Sequence, residues 1–189
     1  MPMIITNIFY SREPMIVARE LLGKIVVRTW NEHLLSGVIS ETEAYLGETD
    51  TASHASRGRT PRTQTMYGPP GRAYVYLVYG MFNMFNVVTE PEGVASAVLI
   101  RGLQPLQGHE VMRELRKSGK GLTDGPGKLC QALAIDRTLN GIDLTAGQPL
   151  WIEDRNIKPG PIYSGPRIGI DYAGDHDRLA ERRFWIEKG

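Results

Sequence analysis

Three segments of the chain carry side chains whose types and spacing could do chemistry. The first reads Glu41-Thr42-Glu43-Ala44-Tyr45, and alternation along a strand would place Glu41, Glu43 and Tyr45 on one face. A carboxylate beside an aromatic ring on a rigid strand suits a general base next to a stacking surface. An edge strand with a solvated acidic face would show the same pattern, so these residues alone leave both interpretations open.

The second segment reads Ala73-Tyr74-Val75-Tyr76-Leu77-Val78-Tyr79-Gly80-Met81. Tyr74 and Tyr76 share one face of a predicted strand, whereas Tyr79 points the other way and precedes Gly80, which permits a turn. A tyrosine at a hairpin tip has little to pack on, and aromatic rings are groups on which bases stack or which open a base step. Tyrosine is also common in half-buried sheets, so the stripe is not decisive alone.

The third segment is a basic stretch around His54. Between Thr51 and Thr89 the chain has four arginines and no acidic residue, and residues 51–130 hold ten lysines and arginines against five acids although the net charge is only +1. A basic face suits an anionic partner such as a nucleic-acid backbone, but clustered surface charge explains the pattern equally well. A lone histidine such as His54 is more often a structural hydrogen-bonding group than a catalyst.

Several function classes are excluded by what the chain lacks. Cys130 is the only cysteine and lies in an apolar helical stretch, so we expect it in the core; internal disulfides, zinc ribbons and thioredoxin-like or zinc-deaminase chemistry are excluded. The segment Gly125-Pro126-Gly127-Lys128-Leu129 lacks the spacing and the hydroxyl residue of a phosphate-binding loop. We expect no metal and no cofactor. The triplet Asp175-His176-Asp177 is expected to face solvent.

No apolar run approaches the length of about 20 residues that a membrane-spanning helix needs, and the N-terminal residues do not read as a signal peptide. We therefore expect a cytoplasmic protein without membrane association.

The helices and strands that position these residues are themselves predicted from the sequence, and together they indicate a single α+β domain over residues 1–189, built on a curved, mostly antiparallel sheet with flanking helices. An early helix begins at Pro14, presents Met15, Ile16, Leu21 and Leu22 on one face and stops at Gly23. A polar loop covers about 46–72, a length that is usually functional. The predicted strands are 24–30, 35–45, 73–79, 85–89, 96–101, 150–153, 167–170 and 184–187, and further helices are 109–117 and 127–135.

Taken together, the motifs resemble the alkyladenine (3-methyladenine) DNA glycosylase family. The resemblance runs from about residue 18 to 186. It rests on these matches in order: Glu43-Ala44-Tyr45-Leu46-Gly47, His54, Thr60-Pro61-Arg62, Tyr74 to Met81, Asn86, Leu99-Ile100-Arg101-Gly102-Leu103, Pro105, Gly125-Pro126, Lys128 to Leu133, Ala173-Gly174 and Arg183-Phe184. The family has a mixed α/β domain on an antiparallel sheet without a helix-hairpin-helix element, and the same is expected here.

The resemblance also implies a function and a set of roles. It implies a monofunctional base-excision repair enzyme that flips an alkylated or deaminated purine (3-methyladenine, hypoxanthine class) out of double-stranded DNA and hydrolyses its N-glycosidic bond without a lyase step. By position, Glu43 activates the water with Arg101 beside it, and Asn86 crowds the 2-amino group of guanine. The remaining site residues are the base-sandwiching Tyr45, His54 and Tyr76, the wedge Tyr79, and the further DNA contacts Met81, Arg57, Arg62 and Lys128.

Two other functions compete with this hypothesis. A non-enzymatic nucleic-acid binder would keep the stacking tyrosines but has no need of a carboxylate near phosphates. An enzyme acting on another anionic substrate, such as a nucleotide transferase, is disfavoured by the missing phosphate loop and metal ligands. We expect a monomer, associated with the nucleoid through DNA, because a duplex-binding face does not require symmetry.

Overall fold

A 13-residue central strand organises the sheet in the computed structural model, which describes residues 2–117 and 120–187. The strands are β1 (Met3–Ile4), β2 (Ile25–Trp30), β3 (His33–Tyr45), β4 (Ala73–Val78), β5 (Phe82–Thr89), β6 (Ser96–Gln107), β7 (Leu150–Asp154), β8 (Ile162–Gly165) and β9 (Arg183–Ile186). The helices are α1 (Asn7–Tyr10), α2 (Pro14–Leu21), α3 (His109–Arg116), α4 (Pro126–Ala132) and α5 (Asp175–Leu179).

All strand pairs are antiparallel, in the order β1-β7-β2-β3-β6-β5-β4, with β8 and β9 on a branch from β3. The first half of β3 pairs with β2, whereas residues 41–43 pair with β9 on the same edge and with β6 on the other. The β3–β6 register shifts around residues 39–42 mark an irregularity of the kind that bends a strand. The result is a curled antiparallel sheet within one α+β domain, as predicted, and the described residues contain no helix-hairpin-helix element.

Helix α2 packs on β3 through a face that differs from the predicted one. Pro14 occupies the first turn, and the Glu13 carboxylate accepts hydrogen bonds from the backbone N–H groups of Met15 and Ile16. The buried residues of the helix are Pro14, Val17, Ala18 and Leu21, and Leu22 just after it is buried too. Met15 is partly buried against the core, whereas Ile16 is 46% exposed, so the predicted face is wrong at Ile16. The i, i+3, i+4, i+7 spacing from Pro14 is the pattern that decides the helix phase.

The core lies between the sheet and helices α2, α3 and α4. Its largest fully buried side chains include Phe85 on β5, Phe184 on β9 and Leu129 on α4, and each contributes roughly 1.5–3 kcal/mol by leaving water. Cys130 is buried there as a free thiol, as predicted. Burial raises the pKa of that thiol far above its usual range, so it stays protonated.

The predicted polar loop at 46–72 is ordered by three short 3-10 turns, Gly47–Thr49, His54–Arg57 and Gln64–Tyr67. Asp50 holds the loop against the end of β3 by accepting from the backbone N–H groups of Leu46 and Ala52. The loop is therefore an ordered wall and carries His54 at a fixed place.

The predicted strand at 167–170 is absent. Strand β8, which ends just before residue 167, pairs with β9 on the edge opposite β3. Residues 167–170 form a loop, with Gly169 at a φ of +76°. A left-handed φ interrupts extended backbone, so the alternation of Arg167-Ile168-Gly169-Ile170 does not produce a strand. None of the described helices has the length and apolar character that a membrane crossing requires.

Candidate active site

Glu43 lies in the middle of the sheet, between β6 and β9, with its side chain fully buried. The hypothesis of a solvated acidic edge strand is therefore wrong for this residue. The backbone N–H of Ile168 donates to Oε1 of Glu43 at 2.7 Å, and the hydroxyl of Tyr45 donates to Oε2 at 2.9 Å. Both carboxylate oxygens are thus held by donors from different parts of the chain.

Arg101 on β6 supplies the nearest positive charge. Its Nε lies 3.4 Å from Oε1 of Glu43 and 3.2 Å from Oε1 of Glu41, which also binds Arg183 at 3.2 Å. Burial raises the pKa of Glu43, and the Arg101 charge acts against that rise. The predicted common face of Glu41, Glu43 and Tyr45 is therefore real, and we call Glu43, Tyr45, Arg101 and Ile168 the carboxylate wall.

A small cavity of about 30 Å³ adjoins this wall, and all four predicted substrate-binding residues line it: Tyr45, His54, Tyr76 and Asn86. The rings of His54 and Tyr76 meet edge-on with centroids 4.5 Å apart, and those of Tyr74 and Tyr76 lie 5.2 Å apart. Aromatic walls combined with polar side chains such as His54 and Asn86 suit a flat ring system with hydrogen-bonding edges. The cavity shares Tyr45, His54 and Tyr76 with a groove of about 430 Å³ that is lined also by Arg62, Tyr79, Met84, Arg101 and Ile168.

His54 is a neutral imidazole with a defined tautomer. Burial, then the charges of Arg62 and Arg57, lower its pKa to about 4. Nδ1 lies 3.0 Å from the Tyr74 hydroxyl, and Nε2 lies 3.4 Å from a guanidinium nitrogen of Arg62. Since Arg62 can only donate, Nε2 accepts, and we assign the proton to Nδ1, which donates to Tyr74. His54 is thus a cavity wall and not a proton donor at neutral pH.

Asn86 is buried on β5 with its amide donating from Nδ2 to the backbone carbonyl of Tyr74 at 3.1 Å. As predicted, Asn86 lies on the strand that returns beside the strand of Tyr76. In the β4–β5 register Asn86 is the partner of Tyr74, and the partner of Tyr76 is Met84. The side chain is fixed at the cavity and cannot swing away from a bound ring without breaking that hydrogen bond.

The β4–β5 connection has three residues, Tyr79 to Met81, and we call Val78 to Met81 the hairpin tip. Met81 N–H donates to the Val78 carbonyl at 3.1 Å, and both Tyr79 (φ 52°) and Gly80 (φ 69°) are left-handed, as in a type I′ turn. Tyr79 is 87% exposed and Met81 is 66% exposed. Left-handed backbone at a residue other than glycine costs roughly 1–2 kcal/mol. The ring of Tyr79 is mostly in solvent.

The predicted basic contacts lie at different places. Arg57 and Arg62 are exposed and line a second groove of about 500 Å³ beside the cavity, and Arg62 also lies over the Tyr76 ring at 5.2 Å. Lys128 on α4 forms an ion pair with Asp124 at 2.9 Å. Among the described residues, no three His, Cys, Asp or Glu side chains are grouped as a metal site would require.

Sequence reasoning missed a buried ionic network behind the wall. Arg167 binds Asp50, and Asp177 accepts from Thr51 and Arg182. Asp177 is only 5% exposed, so the prediction that the triplet 175–177 faces solvent is wrong at its last position, whereas the side chain of His176 is 88% exposed. Burial would raise the pKa of Asp177, but the hydrogen bonds that Asp177 accepts from Thr51, His176 and Arg182 outweigh it and hold that pKa far below its usual range. The exposed Tyr172, which lines both cavity and groove, was also missed.

Comparison with known proteins shows which family the chain belongs to. The model of the family described as methylpurine-DNA glycosylase (MPG) matches residues 8–189. The chain belongs to the methylpurine-DNA glycosylase family. It is a DNA glycosylase of base-excision repair, a hydrolase of N-glycosidic bonds, and DNA is its substrate.

Curated relatives cover nearly the same length. Proteins named "Putative 3-methyladenine DNA glycosylase" are 48% identical in Methanocella arvoryzae over 184 residues (94% of this chain and 89% of the relative) and 49% identical in Desulfitobacterium hafniense over 190 residues (95% and 93%). A relative of that name in Clostridium perfringens strain 13 is 46% identical over 192 residues (95% and 93%). The family resemblance stated from the motifs is confirmed.

Proposed function

We propose that this glycosylase flips an alkylated or deaminated purine out of duplex DNA and hydrolyses its N-glycosidic bond with water as the nucleophile. One observation carries the proposal: the fully buried carboxylate of Glu43 is held by a backbone N–H and by the hydroxyl of Tyr45, and the Tyr45 side chain lines a cavity with aromatic walls. Residues 1–189 act as one catalytic domain. Alkylated adenine is the first substrate to test, because the relatives' name specifies it.

Glu43 acts as the general base. Cleavage of a bond at an acetal-like carbon passes through an oxocarbenium-like state, for which a carboxylate serves as proton acceptor and as counter-charge. Burial raises the pKa of Glu43 and so makes it a better acceptor than an exposed carboxylate, while Arg101 favours the ionised form that accepts the proton. Tyr45, His54 and Tyr76 hold the purine ring, and Asn86 contacts its edge.

Tyr79 fills the gap that the extracted nucleotide leaves in the base stack. Its exposure on a tight turn supports this role, since the ring can enter a duplex without losing contacts within its own chain. Extraction of a base costs a few kcal/mol, of which one aromatic stack offsets about 1–3 kcal/mol. Met81 flanks the wedge, and Arg57, Arg62 and Lys128 contact phosphates.

Water is the proposed nucleophile because a lyase step needs an amine. Among the described residues, no lysine lines the cavity or the groove beside it. The product is then an intact strand with an abasic site. A monomeric state and a cytoplasmic, DNA-associated location stay predictions.

The test uses duplexes that carry one hypoxanthine or one alkylated adenine, incubated with the protein and then split into samples with and without hot alkali. Strand cleavage at the lesion only after alkali is the expected result. Cleavage without alkali would indicate a lyase and contradict the monofunctional mechanism. Binding without cleavage in either sample, on both lesions, would favour the non-enzymatic binder.

A further inference from the structure

Arg167 is buried next to the carboxylate wall and donates four hydrogen bonds through its two terminal nitrogens. Its side chain has no exposed surface. One terminal nitrogen donates to Oδ2 of Asp50 at 2.5 Å and to the Ala44 carbonyl at 2.9 Å; the other donates to Oδ1 of Asp50 at 2.8 Å and to the Asp177 carbonyl at 3.3 Å. This two-pronged geometry belongs to a guanidinium and cannot be reproduced by an ammonium.

The same guanidinium packs on the ring of Tyr45, with its central carbon 4.6 Å from the ring centroid. Tyr45 lines the cavity whereas Arg167 does not, so the arginine supports the ring from outside the cavity. The ring position in turn sets the Tyr45 hydroxyl, which donates to Glu43. One donor to the carboxylate therefore depends on Arg167 through a cation–π contact.

The other donor depends on Arg167 through the backbone. Ile168 follows directly in the chain, and its N–H is the group that lies 2.7 Å from Oε1 of Glu43. The loop holding Ile168 contains Gly169 at a positive φ and lies outside the sheet, so ladder hydrogen bonds do not fix it. The four bonds of Arg167 fix it, together with the bond that Arg183 Nε donates to the Pro166 carbonyl at 2.9 Å.

We propose that Arg167 is a positioning residue that sets both groups that donate hydrogen bonds to Glu43, the Tyr45 hydroxyl and the Ile168 N–H. It touches neither substrate nor water and acts through Tyr45 and Ile168. The inference rests on the proposed function, in which Glu43 is the general base. Misplacement of a reacting group by about 1 Å can cost about 100-fold in rate, so the loss of these anchors should be visible in the chemical step.

Arg182 provides a matched control within the same network. It donates to Asp177 at 2.8 Å and lies 3.4 Å from Asp50, with little of its side chain exposed. Its side chain contacts the carboxylates that hold Arg167, but the hydrogen bonds and ring contacts described for Tyr45 and Glu43 do not include it. A purely structural network would respond alike to changes at both arginines.

The experiment compares Arg167→Lys, Arg167→Met, Arg182→Lys and Arg182→Met by single-turnover excision of one lesion at saturating enzyme, across pH, with DNA affinity and melting temperature measured in parallel. Both Arg167 variants should lose about 10- to 100-fold in plateau rate. Their acid limbs should move to higher pH, further for methionine, because the donors and the charge that favour ionised Glu43 are lost. DNA affinity should stay at the wild-type value.

The pH profile depends on every ionisable group around the base. The groups that face Glu43 or its partners are Arg101 on β6, Tyr45 and Glu41 on β3, Tyr76 on β4, Arg183 on β9, and Arg167 and Tyr172 in the adjoining loop. Burial, followed by the charge of Glu43, raises the pKa of Tyr45 well above its usual value, and burial also raises the pKa of Tyr76 far above its usual value, so neither loses its proton in the acid limb.

The Arg182 variants should lose stability only and keep the wild-type plateau and acid limb. Equal rate losses at both arginines, or a wild-type plateau or acid limb in Arg167→Met, would overturn the inference. If Arg167→Met does not fold, the plateau rates of the two lysine variants decide it alone. A wild-type protein without excision activity would instead refute the proposed function, which keeps the two failures distinct.

Discussion

The carboxylate wall and the hairpin tip are built in opposite ways. Glu43 in the wall has no exposed surface and both of its oxygens are hydrogen-bonded, whereas Tyr79 in the tip is 87% exposed and sits on left-handed backbone. Groups that stabilise developing charge work best when they are already oriented and shielded from water. A group that must enter a duplex needs the reverse, a ring free of competing contacts. The difference predicts that chemistry and base extraction can be damaged separately.

The largest expected effect is at the wall. Glu43→Gln should lower single-turnover excision by about 10²–10⁴-fold, because the shape stays and the proton acceptor is lost. DNA affinity should be retained. Glu41→Gln is the matched control, since Glu41 binds the same Arg101 but stays partly exposed, and the hydrogen bonds from Tyr45 and Ile168 go to Glu43; it should lose far less. Equal losses in the two variants would mean that charge around Arg101, and not a base at Glu43, limits the rate.

The wall also predicts the pH dependence of the wild-type rate. A general base must be ionised, so the rate should rise with pH through the pKa of Glu43 and fall about tenfold per unit below it. Because burial raises that pKa, the acid limb should lie above the value of about 4.3 of a free glutamate. A limb at or below that value, measured under single-turnover conditions, would show that the titrating group is not a desolvated carboxylate.

At the tip, Tyr79→Ala should reduce excision from well-paired duplex by about 5- to 150-fold, which corresponds to a lost base–aromatic stack of about 1–3 kcal/mol. Stability should not change, because the ring is mostly in solvent. Tyr163→Ala on β8 removes another exposed tyrosine and should leave excision unaffected. If both variants behaved alike, the tip would have no special place in extraction.

Asn86 tests whether the cavity between wall and tip selects its base. Asn86→Ala should raise excision of guanine or 7-alkylguanine relative to hypoxanthine, since the fixed amide no longer crowds a 2-amino group, a discrimination of about 1–3 kcal/mol. Asn83→Ala, at the other asparagine of β5, removes a side chain that does not line the cavity. A rate ratio that stays at the wild-type value in a folded Asn86→Ala protein would move discrimination elsewhere.

Both regions could be predicted from the sequence because their signals are local. The alternation around Glu43 and the Tyr79-Gly80 pair each lie within a few residues, so strand periodicity and turn chemistry suffice to place them. The same local logic failed at residues 167–170, where the alternation resembles a strand. There Arg167 is drawn inward by Asp50, 117 residues earlier in the chain, and Gly169 turns the backbone.

The supporting network could not be predicted because its parts meet only in the fold. No spacing rule connects Asp50 with Arg167, or Ile168 with Glu43, and a charged residue is ordinarily read as exposed. The family resemblance brought Tyr45, His54, Tyr76 and Asn86 to attention, and the structure places all four on one cavity. The roles of these residues stay predictions until the variants are measured.

The most direct test of the separation places the lesion in a bulge, where little stacking must be broken before extraction. Single-turnover excision by Glu43→Gln and Tyr79→Ala is compared with wild type on this substrate and on well-paired duplex. The Tyr79→Ala deficit should shrink toward the wild-type rate on the bulge, while Glu43→Gln should keep its full loss of about 10²–10⁴-fold on both. A Glu43→Gln protein that excises the bulged lesion at the wild-type rate would contradict the assignment of Glu43 as the base.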